Sequence, residues 1–125
     1  MLLFFKKSVS NPIGSEKLKF CTFASGSSGN CTLVSHESTH ILIDAGISLR
    51  RTVFSLKELG LEPSDLSGVL VTHEHTDHVK GLYNLTKHFA VPIFATHKTA
   101  IALVSSRPEL NEAICVFNSG DSFGL

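Results

Sequence analysis

The chain has 125 residues, 42% of them hydrophobic and 18% charged, with a mean hydropathy of +0.19. That content suffices for one globular core and excludes a disordered chain. Eleven Lys and Arg balance eleven Asp and Glu, so net charge gives no argument for a nucleic-acid or anionic-membrane partner, although a local basic patch stays open. No apolar run approaches the roughly 20 residues of a spanning helix, which excludes a membrane-crossing segment.

The N-terminal Met1-Leu2-Leu3-Phe4-Phe5 run precedes its charges at Lys6 and Lys7, the reverse of a secretory signal. Residues 1–17 hold Asn11-Pro12 and Gly14 without periodicity and are expected to be an irregular leader. Cys21, Cys31 and Cys115 are odd in number and lack Cys-x-x-Cys spacing, which argues against a disulfide framework or a thiolate zinc site. Reduced cysteines in a cytoplasm fit best, each as a small buried hydrophobe within a strand.

Leu18 to Ala24 and Cys31 to Ser35 are β-rich runs joined by Ser25-Gly26-Ser27-Ser28-Gly29-Asn30, a hairpin signal, and Thr39 to Asp44 is a third strand. Ser48 to Leu59 spaces Leu49, Val53, Leu56 and Leu59 as a helix, with Ser48 as N-cap and Gly60 as the C-terminal glycine. Gly68 to Thr72 is a continuous apolar run, as in a strand buried on both faces. Val79, Leu82, Leu85 and Phe89 predict a second helix, and Val91 to Ala95, opened by Pro92, a strand. A helix from His97 to Ser106 capped by Thr96 follows, then a strand from Ala113 to Phe117 and a turn at Asn118 to Gly124 that launches another. A hairpin followed by strand-helix-strand units predicts an α/β or α+β layer with a mixed sheet.

The chemistry concentrates in Val71-Thr72-His73-Glu74-His75-Thr76-Asp77-His78, three imidazoles and a carboxylate at the C-terminal end of a strand. These donors suit Zn²⁺, Mn²⁺ and Fe, and a loop leaving a rigid strand can turn them to one point, so a metal site is expected.

His73-x-His75-x-Asp77-His78 after an apolar strand ending in Thr resembles the signature of the metallo-β-lactamase fold superfamily. Leu42-Ile43-Asp44-Ala45-Gly46 is similar to an element on an earlier strand of that family, and Phe23 to Asn30 resembles the opening of its YycJ-like (WalJ-like) branch of exonuclease-like phosphodiesterases. The resemblance runs from about Lys19 to Leu125. It implies an αββα sandwich of which residues 18–125 form the first half, a mixed sheet with helices on one face. It also implies two divalent metal ions, zinc or manganese, with His73 and His75 on the first and Asp77 and His78 on the second. Glu74 and Thr76 would be spacers, and Asp44 would accept a hydrogen bond from a ligand imidazole. The implied activity is hydrolysis of a phosphodiester, most naturally DNA, by a water activated between the ions and oriented by Asp77. Ser27, Ser28, Gly29 and Asn30 form a candidate phosphate-approaching loop, which a plain hairpin turn explains equally well.

Two ions need about eight coordination contacts and the motif supplies four ligands. His88 lies ten residues beyond His78, roughly 15 Å along a helix. His40 and His36 lie back along the strand, and His97 starts a helix on the surface. More donors must therefore come from elsewhere, and the resemblance implies that they lie C-terminal to this region, beyond residue 125. The alternatives are a hydrolase of a thioester, lactone or lactam at the same site, or an inactive fragment lacking the distal ligands. Oligomeric state is not legible.

Overall fold

The computed structural model describes residues 5–10 and 17–122. The first half forms four antiparallel strands, β1 (Phe5–Ser10), β2 (Lys17–Ala24), β3 (Cys31–His36) and β4 (Thr39–Ile43), with apolar and polar residues alternating most clearly in β2 and β3. Helical spacing then takes over and the strands become parallel: β4, β5 (Gly68–Leu70), β6 (Ile93–Thr96) and β7 (Ile114–Phe117). The described strands form one mixed sheet in sequence order, β1 to β7.

Helix α1 (Leu49–Glu58) connects β4 to β5, α2 (Thr76–Val79) and α3 (Leu82–His88) connect β5 to β6, and α4 (His97–Ser106) connects β6 to β7. The parallel order advances one strand at a time in one direction, so right-handed crossovers bring these helices to one face. The burial pattern agrees. Cys21, Phe23, Leu33, Leu42, Val69, Ile93 and Ala95 are buried toward Leu56, Leu82, Leu85 and Leu103 from the helices. The alternate residues Phe20, Val34, Ile41, Ile43, Leu70 and Phe94 are only half-buried on the opposite face. There Gly68 leaves room for the Phe94 ring, which a Cβ would meet at 2.5 Å.

Local chemistry sets the helix ends. The Ser48 hydroxyl accepts from Arg51 N–H at 3.2 Å. Gly60 has φ +76 and Leu61 N–H reaches back to Leu56 O at 2.9 Å, a left-handed stop. Among the described residues, no helix is long and apolar enough to cross a membrane.

Several expectations are corrected. Phe5–Ser10 is a strand paired with β2, where an irregular leader was expected; residues 1–4 and 11–16 lie outside the described residues. The apolar run at 68–72 is a strand only over Gly68–Leu70, and Leu70 is half-buried because the described helices cover one face. Thr96 holds the N-cap position of α4, but its hydroxyl lies 3.5 Å from Thr99 Oγ1 and makes no cap bond. Cys115 is exposed on β7, the edge strand of the described sheet, unlike buried Cys21 and Cys31. The helix expected through Val79 to Phe89 is broken at Lys80 and Gly81, for a reason that lies in the site. The turn after β7 forms: Asn118 N–H donates to Asp121 Oδ2 at 2.8 Å, and Gly120 has φ +92.

Candidate metal centre

The site sits at the C-terminal ends of the adjacent parallel strands β4 and β5. Asp44 continues the ladder, donating its N–H to Leu70 O at 2.8 Å, and then turns the chain through φ +65. Asp tolerates this left-handed conformation better than most residues. Its carboxylate is 4% exposed and accepts three hydrogen bonds. Thr72 N–H reaches Oδ1 at 2.8 Å, and Thr72 Oγ1–H and His78 Nδ1–H both reach Oδ2 at 2.7 Å.

These bonds determine two tautomers. An ionised carboxylate only accepts, so His78 carries a proton on Nδ1, and in the neutral ring Nε2 keeps its lone pair. The single hydroxyl proton of Thr72 goes to Asp44, so at 3.1 Å from His73 Nδ1 the Thr72 oxygen accepts. His73 therefore also presents Nε2 as its free donor atom. Thr72 was legible only as the last residue of the strand; its hydroxyl chemistry depends on the turn at Asp44.

The expected ligands come together. The ring centres of His73 and His75 are 4.7 Å apart, those of His73 and His78 are 3.8 Å apart, and His78 Nε2 lies 3.5 Å from Asp77 Oδ2. Two imidazoles on one tetrahedral ion, with metal–nitrogen bonds near 2 Å, place their ring centres about 5 Å apart. The first pair matches this spacing. The second is too close for both rings to point at one ion and suits donors that serve different ions. Among the described residues, no group of three or more His, Cys, Asp or Glu side chains is arranged so that it could hold a metal ion. The donor types present, imidazoles beside a carboxylate, are ones that bind divalent metal ions.

Three loops are laced together beneath these side chains. Asn30 N–H donates to Asp77 O at 2.7 Å, Gly46 N–H to Asn30 O at 2.9 Å, Ala45 N–H to His78 O at 2.8 Å, and Gly81 N–H to Ala45 O at 2.9 Å. Continuing the helix past Val79 would require the Gly81 and Leu82 N–H groups to seek Asp77 O and His78 O. Both carbonyls accept from other loops, and Gly81 N–H has its own partner in Ala45, so α2 ends after one turn. Packing at Gly46 is equally tight, since a Cβ there would collide with the Asp77 carbonyl and lie 2.8 Å from Asn30 N.

Of the candidate phosphate loop, Ser27 and Ser28 are exposed, Gly29 is buried against Gly46 O, and Asn30 turns inward. Lys80 Nζ anchors the loop by donating to Ser28 O at 2.9 Å. Glu74 and Thr76 line a cleft with Val79, Tyr83 and Arg107. His88 and His97 are exposed at helix termini, and His40 Nδ1 pairs with Ser35 Oγ at 2.7 Å. Burial, with Asp44 adding to it and Arg51 opposing, pushes the Cys31 thiol up to about 12, which keeps it protonated at neutral pH.

A sequence profile of the Metallo-beta-lactamase superfamily matches residues 24–112. The chain is 44% identical over 82 residues to the exodeoxyribonuclease YycJ of Bacillus anthracis, covering 66% of this chain and 31% of that protein. It is 35% identical over 81 residues to the hydroxyacylglutathione hydrolase GloC of Haemophilus influenzae, covering 64% of this chain and 37% of that protein. In fold it resembles MEM-A1, a subclass B3 metallo-beta-lactamase from a soil metagenome library, with a TM-score of 0.69 at 21% identity over 85% of this chain and 46% of that one. The chain thus spans about a third of the length of the curated relatives it matches.

Proposed function

This chain belongs to the metallo-beta-lactamase superfamily, and from that premise we propose that it contributes the first half of the catalytic centre of a metal-dependent DNA exonuclease. His73 and His75 hold one divalent ion, Asp77 and His78 a second, and the donors that complete both shells come from outside these 125 residues. The observation that carries the reading is the hydrogen-bond chain centred on Asp44, which leaves Nε2 of both His73 and His78 free to bind a cation. A histidine-rich loop with no ligand to hold has no need of that order.

When bound, two such ions supply a water acidified toward neutral pH and positive charge for the phosphoryl oxygens. Asp44 holds His78 in one tautomer and orientation, and Thr72 does the same for His73. Asp77, the one anionic donor, orients the attacking water. Of the Ser27 to Asn30 loop, the exposed Ser27 and Ser28 are the part that approaches the phosphate, since the Gly29 and Asn30 N–H groups are spent within the protein. Cys31, protonated and buried, does not act as the nucleophile. Cysteines that form no disulfide among the described residues support a cytoplasmic protein.

The likeness to the Bacillus anthracis exodeoxyribonuclease supports DNA as the substrate. A second reading, hydrolysis of a thioester, lactone or lactam, is favoured by the likeness to the hydroxyacylglutathione hydrolase. The test assays full-length protein containing this chain, loaded with Zn²⁺ or Mn²⁺, on single-stranded DNA and bis-p-nitrophenyl phosphate beside a thioester and a lactam. Release of nucleotides is expected, and turnover of the acyl substrates alone would sink the phosphodiester reading.

A further inference from the structure

We propose that Asn30 is a positioning residue that holds the Asp77 carboxylate in register with His78; the proposal rests on reading Asp77 as a metal ligand. Asp77 stands on a helix of four residues, and its side chain is 32% exposed, so burial does not immobilise it. Asn30 grips residue 77 twice. Its backbone N–H donates to Asp77 O at 2.7 Å, and its Nδ2 lies 3.1 Å from Asp77 Oδ2 and 3.2 Å from Asp77 O.

The surroundings determine which way the amide faces. Gly26 N–H requires an acceptor and finds Asn30 Oδ1 at 3.1 Å, while Gly26 O, which also accepts from Gly29 N–H at 3.3 Å, accepts from Nδ2 at 2.9 Å. A flipped amide would set oxygen against both Gly26 O and the Asp77 carboxylate. Nδ2 has two protons: one goes to Gly26 O, and the other spans the two Asp77 oxygens. His78 Nε2, at 3.4 Å, is the most distant of the four acceptors around Nδ2. Asn30 thus sets the carboxylate beside that nitrogen. The Gly26 bonds in turn lock the amide to the hairpin, so the β2–β3 turn acts on Asp77 as well as lying on the substrate side.

The test titrates the metal-free chain with Zn²⁺ and with Mn²⁺ by calorimetry, comparing wild type, Asn30→Ala, Asn30→Asp and Lys80→Met. Lys80→Met removes the Ser28 anchor of the same loop without touching Asp77. Both Asn30 variants should weaken one ion by about 10–100-fold, with Lys80→Met within about twofold of wild type. Asn30 variants that bind like wild type, or a Lys80→Met loss of the same size, would overturn the proposal. A wild-type chain that takes up neither ion would instead remove the reading of Asp77 as a ligand, and the hold on its carboxylate would then be decided without metal. Thermal midpoints of Asn30→Ala, Asp77→Ala and the double variant form a cycle in which the sum of the two single losses should exceed the double loss by about 3–5 °C. Additive losses would refute the hold itself.

Discussion

Replacing Asp44 with Asn keeps the shape of the side chain and removes its ability to accept from every direction. With its oxygen turned to Thr72 N–H, the amide retains one of the three bonds and presents NH₂ to Thr72 Oγ1 and His78 Nδ1, each 2.7 Å from the carboxylate in the wild type. A hydrogen bond to a charged group contributes about 1.5–3 kcal/mol. The Thr72 hydroxyl can rotate to accept and His78 can move its proton to Nε2, so we expect a net loss of about 2–3 kcal/mol in the metal-free chain. For a domain of this size that corresponds to a fall of about 10 °C in thermal midpoint. The tautomer change has the sharper consequence, because a proton on Nε2 blocks the atom proposed to bind metal. Affinity for zinc or manganese should fall about 10–100-fold. Circular dichroism melts, metal titration and ¹⁵N spectra of the His78 ring measure the three effects. A His78 ring still protonated on Nδ1 in Asp44→Asn, with a midpoint within about 3 °C of wild type, would refute the reasoning.

Thr72→Val removes a bond to the same carboxylate, but Thr72 is exposed and water can replace its hydroxyl; the expected loss is about 1 kcal/mol in denaturant unfolding, smaller than for Asp44→Asn. Gly46→Ala places a methyl against the Asp77 carbonyl, a backbone atom that three loops hold in place, and should destabilise the chain by at least about 2 kcal/mol in the same assay. A thiol reagent at pH 8 should label one cysteine rapidly, Cys115, with Cys21 and Cys31 reacting only on unfolding. The raised Cys31 value carries a sign: the unfolded thiol releases its proton near 9.0 and the folded one near 12, so its contribution is complete below about pH 9 and lost as pH rises toward 12. The slope in that window should be about 1.4 kcal/mol per pH unit, and Cys31→Ala should abolish it.

Elements whose cues are local were legible from the amino-acid order. Ser48 and Gly60 bracket α1 through a side-chain cap and a left-handed stop, both properties of neighbouring residues. The alternating runs at 18–24 and 31–35 required only a two-residue period, and the spacing of His73, His75, Asp77 and His78 already marked a ligand cluster. The tertiary structure decided what depends on partners distant in sequence. It broke the helix after Val79, because residues 45 and 30 take the carbonyls that local periodicity assigned to Gly81 and Leu82. It left Leu70 on an uncovered face and Cys115 on an edge strand, since residue character says that a strand is apolar but not which side a helix covers or where in the sheet it lies. It set the tautomers of His73 and His78 through Asp44, about thirty residues upstream, and turned Asn30 from a residue of a turn into a partner of Asp77. A spacing can nominate donor atoms; their direction and protonation come from contacts that form only when β4, β5 and the β2–β3 turn meet.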